Sequence, residues 1–278
     1  MNYFSRLPEG CIAEILSLTS PRDACRSSAV SHGFKSAAES DTVWKRFLPS
    51  DYQQIISRAV TPDPVVSPTM KDLYFRLSNF PILLDGGQLS FSLEKETGKK
   101  CYMLPARELV ITWGSTPQYW TWPAHPESRF SEVAELLHVC WLEIKGKTGT
   151  QMLSRNTTYA AYFVFKIAEE NYMLKAAKVY VRLVREVNED EANGTAITVY
   201  WKSYPSRHEY SIAPRPRQHV GWRLPKERTD GWMEIEMGEF FIDQGDAGEV
   251  EMCLTEITSP WKRGLIVEGI ELRPKENP

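Results

Sequence analysis

The chain has 278 residues, of which 42% are hydrophobic and 25% charged, a composition typical of globular proteins. Its net charge of −3 provides no positive field that would attract nucleic acid or an anionic membrane, so we expect neither as a partner. The five cysteines lack the spacing of a zinc site or a disulfide framework, which favours the reducing cytosol or nucleus. No secretory signal is recognisable at the N-terminus, and no apolar run approaches the roughly 20 residues that span a bilayer.

The first fifty residues have apolar side chains at helical spacing between repeated helix-start signals. Pro8 suits the first turn of a helix in which Ile12, Ile15 and Leu16 form one apolar stripe. A segment of this size cannot bury a self-sufficient core, so its apolar surface needs a partner. That partner is either the rest of the same chain or a different protein, and periodicity alone leaves both open.

Two further helices are predicted in this segment. Ser20 caps the second, with proline at the first helical position and a buried side continuing through Cys25, Ala29 and Val30. Asp41 is predicted to cap the third, which presents one apolar face and ends before Pro49. On that face we expect two side chains in the core of the segment itself, Trp44 and Phe47.

The order of these residues resembles an F-box over about residues 3–49. The resemblance rests on Leu7-Pro8, Ile12, Ile15-Leu16, Ala24, Val30-Ser31, Phe34 and Trp44. F-boxes bind the Skp-type adaptor of SCF ubiquitin ligases, and the adaptor bridges to a cullin, so the resemblance implies that a separate protein covers the exposed apolar face. The positions that it places at or near this interface are Leu7, Pro8, Ile12, Ile15, Leu16 and Val30.

The pattern changes after residue 50. Residues 51–80 are predicted to be a linker that contains an extended proline-rich stretch and a short helix over 71–77. Two apolar runs around Asp85-Gly86-Gly87 predict a β-hairpin, and many short alternating runs follow. With no long helices between them, these runs predict an antiparallel sandwich or jelly roll. We therefore predict a small all-α domain (1–50), a linker (51–80) and an all-β domain (81–278).

The sequence contains no recognisable catalytic constellation. It lacks a glycine-rich phosphate loop, a Gly-x-Ser-x-Gly elbow and paired histidines at metal-binding spacing, and its five histidines are isolated from one another. We predict no catalytic residues, no metal and no cofactor.

An aromatic cluster around Pro117 and Pro123 is the most unusual feature of the β domain. Flat aromatic faces suit the apolar C–H face of a pyranose ring, while sugar hydroxyls require fixed acceptors such as carboxylates. The same residues are equally explained as core tryptophans of a sandwich, since Trp113 shares a predicted strand face with Leu109 and Ile111. The cluster comprises Trp113, Tyr119, Trp120 and Trp122.

Several blocks over about residues 105–275 resemble the tobacco-type lectin Nictaba and the phloem-protein-2-like F-box lectins of plants. They include the segments 106–113, 117–122, 133–136, 141–144, 230–232, 238–241, 248–252 and 264–274. Such lectins bind N-acetylglucosamine oligomers and related N-glycan or N-acetyllactosamine structures without metal and without hydrolysis. The resemblance implies that Trp113 and Trp120 stack on sugar and that Glu249 and Glu256 accept its hydrogen bonds. Because these glutamates lie seven residues apart, they share a pocket only if a bulge intervenes or one lies beyond the strand end.

Together these observations predict a non-catalytic substrate receptor of an SCF-type ligase in the cytosol and nucleus. Its helical domain would bind a Skp-type adaptor, and its β domain a glycan or glycoprotein. One alternative is a receptor whose β domain binds protein targets directly. A second is a glycosidase that uses Glu249 with another carboxylate, which requires carboxyl groups about 5–9.5 Å apart.

Overall fold

In the computed structural model, the chain divides into two compact units, Met1–Tyr102 and Met103–Pro278. Residues 61–66, the proline-rich stretch of the predicted linker, lie outside the described residues. The residues that the structure describes are 7–60, 67–184, 196–201, 222–243 and 248–275.

The first unit contains six described helices and a β-hairpin. The hairpin pairs β1 (Ile82–Leu84) with β2 (Leu89–Leu93), and its turn uses Gly86 and Gly87 at φ +72° and +93°, as predicted. The helices are α1 (Glu9–Ser17), α2 (Pro21–Ser27), α3 (His32–Glu39), α4 (Asp41–Phe47), α5 (Tyr52–Ser57) and α6 (Met70–Asn79). Because α5 and α6 lie within residues 51–80, part of the predicted linker is helical and belongs to this unit.

Serine side chains cap three of these helices. Ser20 accepts a hydrogen bond from the Asp23 amide at the start of α2, as predicted. The cap of α4 is Ser40 rather than Asp41, which is instead the first helical residue. The helix α3, capped by Ser31, was not predicted, because its buried residues are alanines that give little apolar periodicity.

The core of this unit lies around α4. Trp44 is fully buried, contacts Phe47 edge-on at 5.6 Å between ring centroids, and donates its indole N–H to the carbonyl of Ala38 at 2.7 Å. The prediction that Trp44 and Phe47 form the core of the unit is confirmed. The predicted buried side of α2 is wrong: the helix ends at Ser27, and the three residues that were expected to continue it are exposed, namely Cys25, Ala29 and Val30.

The second unit is built from strands. One strand, β3 (Lys100–Pro105), begins in the first unit and ends in the second. The others are β4 (Val110–Ile111), β5 (Trp120–Thr121), β6 (Ala134–Leu136), β7 (Leu142–Gly149), β8 (Thr157–Tyr172), β9 (Ala176–Val184), β10 (Ile197–Tyr200), β11 (Trp222–Arg223), β12 (Lys226–Glu227), β13 (Met233–Ile242), β14 (Glu249–Glu256) and β15 (Arg263–Pro274).

These strands form two sheets. In one sheet β15, β8, β13 and β12 follow one another, while β6 also pairs with β15 and β5 with β6. The other sheet has the order β11, β10, β9, β14, β7 and β4. These neighbouring strands pair antiparallel, except that β10 and β11 pair parallel. A helical N-terminal region followed by a mostly antiparallel two-sheet domain confirms the predicted fold class.

The two sheets approach closely at a glycine. A Cβ atom at Gly146 would lie 3.2 Å from side-chain carbons of both Met252 on β14 and Ile270 on β15. Glycine therefore allows the sheets to pack face to face at this point. Val250, Met252 and Leu254 are all fully buried, as expected for alternate residues on the inner face of a strand.

A bulge in β15 buries a carboxyl group. The register of β15 on β8 shifts between Val267 and Gly269, so Glu268 occupies the bulge and is 1% exposed. Its Oε1 accepts hydrogen bonds from Ser128 Oγ and the Arg129 amide, both at 3.1 Å. Its Oε2 is buried without a hydrogen-bond partner among the described residues. Burial therefore raises the pKa of Glu268 above 4.5, although the charge of Arg129 partly opposes this shift.

We predict that Glu268→Gln stabilises the protein at pH 8 and that this advantage vanishes by about pH 4. A carboxyl group with a raised pKa in the folded state contributes stability at low pH that is lost as the pH rises through that pKa, whereas glutamine stays neutral. Thermal unfolding followed by circular dichroism from pH 4 to 8 measures the difference.

Glu271 on the same strand provides the matched control. Burial opposes its ionisation, but Arg228, Arg129 and Arg273 outweigh burial and lower its pKa. Glu271→Gln should therefore destabilise the protein at pH 8, with a loss that shrinks on acidification. If Glu268→Gln behaves in the same way as Glu271→Gln, our description of the bulge is wrong.

Candidate functional site

Trp113 lies outside the strand that was expected to contain it. The strand β4 ends at Ile111, and the Thr112 amide still bonds the Glu143 carbonyl at 3.0 Å. Trp113 then adopts φ +58° and its side chain is 42% exposed. A left-handed conformation costs a bulky residue about 1–2 kcal/mol, so surrounding contacts must hold it. Trp113 is therefore a surface residue presented by a constrained turn, and it does not share a strand face with Leu109 and Ile111.

Two neighbouring tryptophans support this turn. Trp120 donates its indole N–H to the Thr112 carbonyl at 3.2 Å, and Trp122 donates to the Gly114 carbonyl at 2.9 Å. Trp120 is only 2% exposed. The prediction that Trp120 stacks on sugar is therefore contradicted in this structure, because its ring faces the protein interior and offers no accessible face.

A buried lysine organises a second loop. Lys262 is completely buried. Its ammonium group is satisfied almost entirely by backbone: it donates to the carbonyl oxygens of Cys140 at 2.6 Å, Pro260 at 3.1 Å and Thr258 at 3.0 Å. The backbones of Lys262 and Val139 also exchange two hydrogen bonds, because the amide of each donates to the carbonyl of the other. This one side chain thus connects the segment 139–140 to the loop 258–262.

Glu256 neutralises this lysine. Its Oε1 lies 3.4 Å from Lys262 Nζ and also accepts a hydrogen bond from the Thr258 hydroxyl, and its side chain is 11% exposed. Its Oε2 is buried without a hydrogen-bond partner in the described part of the chain. Glu256 was predicted to accept hydrogen bonds from a sugar. The structure instead gives it an internal role, because a fully buried ammonium requires a nearby counter-charge.

The two loops bring four aromatic side chains together, which we call the aromatic platform. Trp113 and Tyr119 have ring centroids 5.3 Å apart, and Tyr119 and Trp261 lie 6.5 Å apart. His138 stacks on Trp261 at 4.5 Å. Trp261, like Trp113, is 42% exposed. The aromatic platform therefore presents several ring faces to solvent. Its four members come from segments that are far apart in sequence: Trp113, Tyr119, His138 and Trp261.

Glu249 lies far from this platform. It begins β14 opposite Gly149, whereas Glu256 ends the same strand opposite Leu142. At about 3.3 Å per residue, the two glutamates are separated by about 23 Å. The platform lies at the Glu256 end, since Thr112 bonds Glu143. No bulge separates the two glutamates on β14, so the condition on which they could share one pocket is not met. At this distance they cannot act together as the carboxyl pair of a glycosidase.

Sequence reasoning missed Trp261, His138 and Lys262 as parts of the site. Trp261 follows a proline in a loop, which is a weak signal of exposure. Nothing in the sequence links it to Trp113, because their proximity depends on sheet register and on the contacts of a buried lysine. The described part of the chain holds no cluster of three or more His, Cys, Asp or Glu side chains that could bind a metal ion.

The first unit presents a separate apolar surface on α1. Leu7, Ile15 and Leu18 are 37%, 45% and 70% exposed, and Cys11 is exposed as well. Cys11, Ile15 and the C-cap residue Leu18 lie along one side of the helix by their spacing, and Leu7 comes just before the N-cap Pro8. We call them the α1 stripe: Leu7, Cys11, Ile15 and Leu18.

The remaining predicted interface residues divide between surface and core. Pro8 and Val30 are exposed. Ile12 and Leu16 are 4% and 2% exposed, so they are core residues of this unit, and their predicted place at or near the interface stays a prediction. The reason is geometric: α1 packs on α3 and α4 within the unit, and that packing takes the side of the helix opposite the α1 stripe.

None of the described helices is long and apolar enough to span a bilayer.

Comparison with known proteins identifies both regions of the chain. Residues 4–50 match the F-box-like family, and residues 99–274 match the phloem protein 2 family. A chain with this pairing is a plant-type F-box protein with a phloem protein 2 domain. The chain belongs to the phloem protein 2 family of F-box proteins, which confirms the predicted resemblance.

Individual relatives agree with this assignment. In Arabidopsis thaliana, the putative F-box protein PP2-B2 is 44% identical over 99% of this chain and 84% of its own length. F-box protein PP2-B10 is 44% identical over 98% of this chain and 94% of its own. A solved mannanase from Podospora anserina is 12% identical with a TM-score of 0.35, covering 64% of this chain and 28% of that one, which is too distant to bear on function.

The combination of the two domains supports a substrate-recognition role for this chain in an SCF-type ubiquitin ligase. The F-box-like domain of the chain supports binding of a Skp-type adaptor. F-box proteins are in general non-catalytic adaptors of these ligases.

Proposed function

We propose that the chain is an SCF substrate receptor of the cytosol and nucleus that captures glycans on the aromatic platform while the α1 stripe engages the adaptor. The ligand class is N-acetylglucosamine-containing or N-acetyllactosamine-type glycans. The chain itself performs no covalent chemistry in this proposal: it holds the target near a ubiquitin-charged partner, and proximity raises the effective concentration of the reacting groups.

The aromatic platform is the observation that carries the glycan half of the proposal. Exposed indole and phenol rings, presented by two restrained loops, suit the apolar faces of consecutive sugar rings. Polar groups lie beside them, because neither the Tyr119 hydroxyl nor the His138 imidazole is hydrogen-bonded to another group among the described residues. A row of several rings supports binding of an oligomer better than binding of a single sugar.

We predict that Trp113→Ala weakens binding of the N-acetylglucosamine trimer by about tenfold, which corresponds to ~1.4 kcal/mol. The loss follows from removal of one stacking face, and Trp261→Ala should have a similar effect. The matched control is Trp141→Ala, since Trp141 is 48% exposed but makes no ring contact with the platform. Isothermal titration calorimetry with the monomer and the trimer measures both the affinity and the preference for oligomers.

Equal losses at Trp113 and Trp141 would contradict the assignment of the platform. The main alternative is direct recognition of a protein, for which an exposed aromatic surface is also suited. Absence of any binding to the trimer by a folded wild-type chain, under conditions in which a control lectin binds it, would favour that alternative.

A further inference from the structure

We propose that Trp120 and Trp122 are positioning residues for Trp113: their indole N–H groups hold the neighbouring backbone so that the Trp113 ring stays turned toward solvent. This inference rests on the proposed glycan-binding function, because the aromatic platform needs Trp113 at its edge. It assigns both tryptophans of the Trp120–Thr121–Trp122 segment a role different from ligand contact.

The hydrogen bonds act on the peptide units that define the Trp113 conformation. The Thr112 carbonyl belongs to the peptide unit before Trp113, and Trp120 fixes it at 3.2 Å. The unit after Trp113 is fixed by the Gly114 amide, which donates to the Ile111 carbonyl at 2.9 Å. Trp122 then fixes the next unit through the Gly114 carbonyl at 2.9 Å. Three consecutive peptide units are thus restrained around one residue at φ +58°.

The turn is also tight in space. A Cβ atom at Gly114 would lie 3.0 Å from both the Cβ and the carbonyl oxygen of Ile111, so the chain doubles back with almost no clearance. Without such restraint, a tryptophan would favour negative φ, and rotation about that bond would carry its side chain away from Tyr119.

Trp122 is itself held from behind. The Arg107 guanidinium lies 3.8 Å from the centre of its ring, and Arg107 Nε donates to Glu132 at 2.7 Å. One ring face of Trp122 is therefore taken by a protein cation, and Trp120 is buried. Both indoles direct their N–H groups at the turn, as supporting residues should, rather than at solvent.

The test uses the full chain labelled with 5-fluorotryptophan and observed by fluorine NMR. Trp113→Phe identifies the Trp113 resonance among the nine tryptophans. In Trp122→Phe, which keeps a ring for Arg107 but lacks the donor, we expect the Trp113 resonance to shift and broaden. Affinity for the N-acetylglucosamine trimer should fall about fivefold, while the thermal midpoint stays close to that of the wild type. Trp141→Phe is the matched control and should change neither quantity.

The resonance of Trp113 separates a positioning role from a purely structural one. An unchanged Trp113 signal in folded Trp122→Phe and Trp120→Phe overturns the inference, whatever the affinities are. If Trp120→Phe fails to fold, Trp122→Phe decides, since Trp122 is only half-buried. If the wild type does not bind the trimer but Trp122→Phe still displaces the Trp113 signal, the positioning role stands and the proposed glycan function fails.

Discussion

Replacing Lys262 with methionine should lower the free energy of unfolding by about 3–5 kcal/mol, the usual effect of removing one partner of a buried ion pair. Methionine fills a similar volume but donates no hydrogen bonds. Three carbonyl oxygens and the buried Glu256 carboxylate would then lose their shared partner. Chemical denaturation of the purified chain measures the loss, and the loop that carries Trp261 should lose its order first.

Two further variants make this prediction specific. Lys145→Met removes a lysine whose ion pair with Glu143 is partly exposed, and it should cost at most about 1 kcal/mol. Adding Glu256→Gln to Lys262→Met should restore part of the stability, because the buried carboxylate no longer lacks a counter-charge. A loss below about 1 kcal/mol in Lys262→Met, or no recovery in the double variant, would contradict the organising role of Lys262.

Replacing Ile15 with aspartate should weaken binding of a Skp-type adaptor by at least about 100-fold. Ile15 is at the centre of the α1 stripe and 45% exposed, so a charge there would be buried unpaired in the complex without disturbing the free protein. Co-purification with the adaptor, followed by titration calorimetry, measures the effect. Leu18→Asp should act in the same direction, although sequence reasoning did not place this residue at the interface.

The neighbouring positions on α1 provide the controls. Glu9 is exposed on the side of α1 that faces α3, where its carboxylate accepts a hydrogen bond from Ser36, so Glu9→Ala should leave adaptor binding within about twofold of the wild type. Ile12→Asp, by contrast, should unfold the first unit because Ile12 is a core residue. Retained binding by Ile15→Asp, with the first unit folded, would remove the α1 stripe as the adaptor surface.

How far the sequence predicts this protein differs between its two units. In the first unit, helix-capping signals at Ser20 and Pro21 act over three residues, and they predicted the start of α2 correctly. The periodicity of α1 identified its apolar residues but not their destination, because Ile12 and Ile15 differ only in which side faces α3 and α4. That choice depends on tertiary packing, which local periodicity does not encode.

The second unit shows the same limit more strongly. Alternating runs predicted the strands, because a two-residue period follows directly from strand geometry. The exposure of individual tryptophans could not be predicted from the sequence, since exposure depends on turns and on distant segments. Trp120 was expected at the surface and is buried, whereas Trp113 projects from a turn whose positive φ no sequence pattern indicated. Trp261 joins the aromatic platform from a loop that the buried contacts of Lys262 hold in place.

The most direct test of the platform is an NMR titration of the full chain with the N-acetylglucosamine trimer, following the indole N–H signals. We expect saturable shifts at Trp113 and Trp261, with Trp141 and the buried Trp232 unchanged. Shifts confined to Trp141, or no shifts at any indole while a control lectin binds the same trimer, would contradict glycan capture by the aromatic platform.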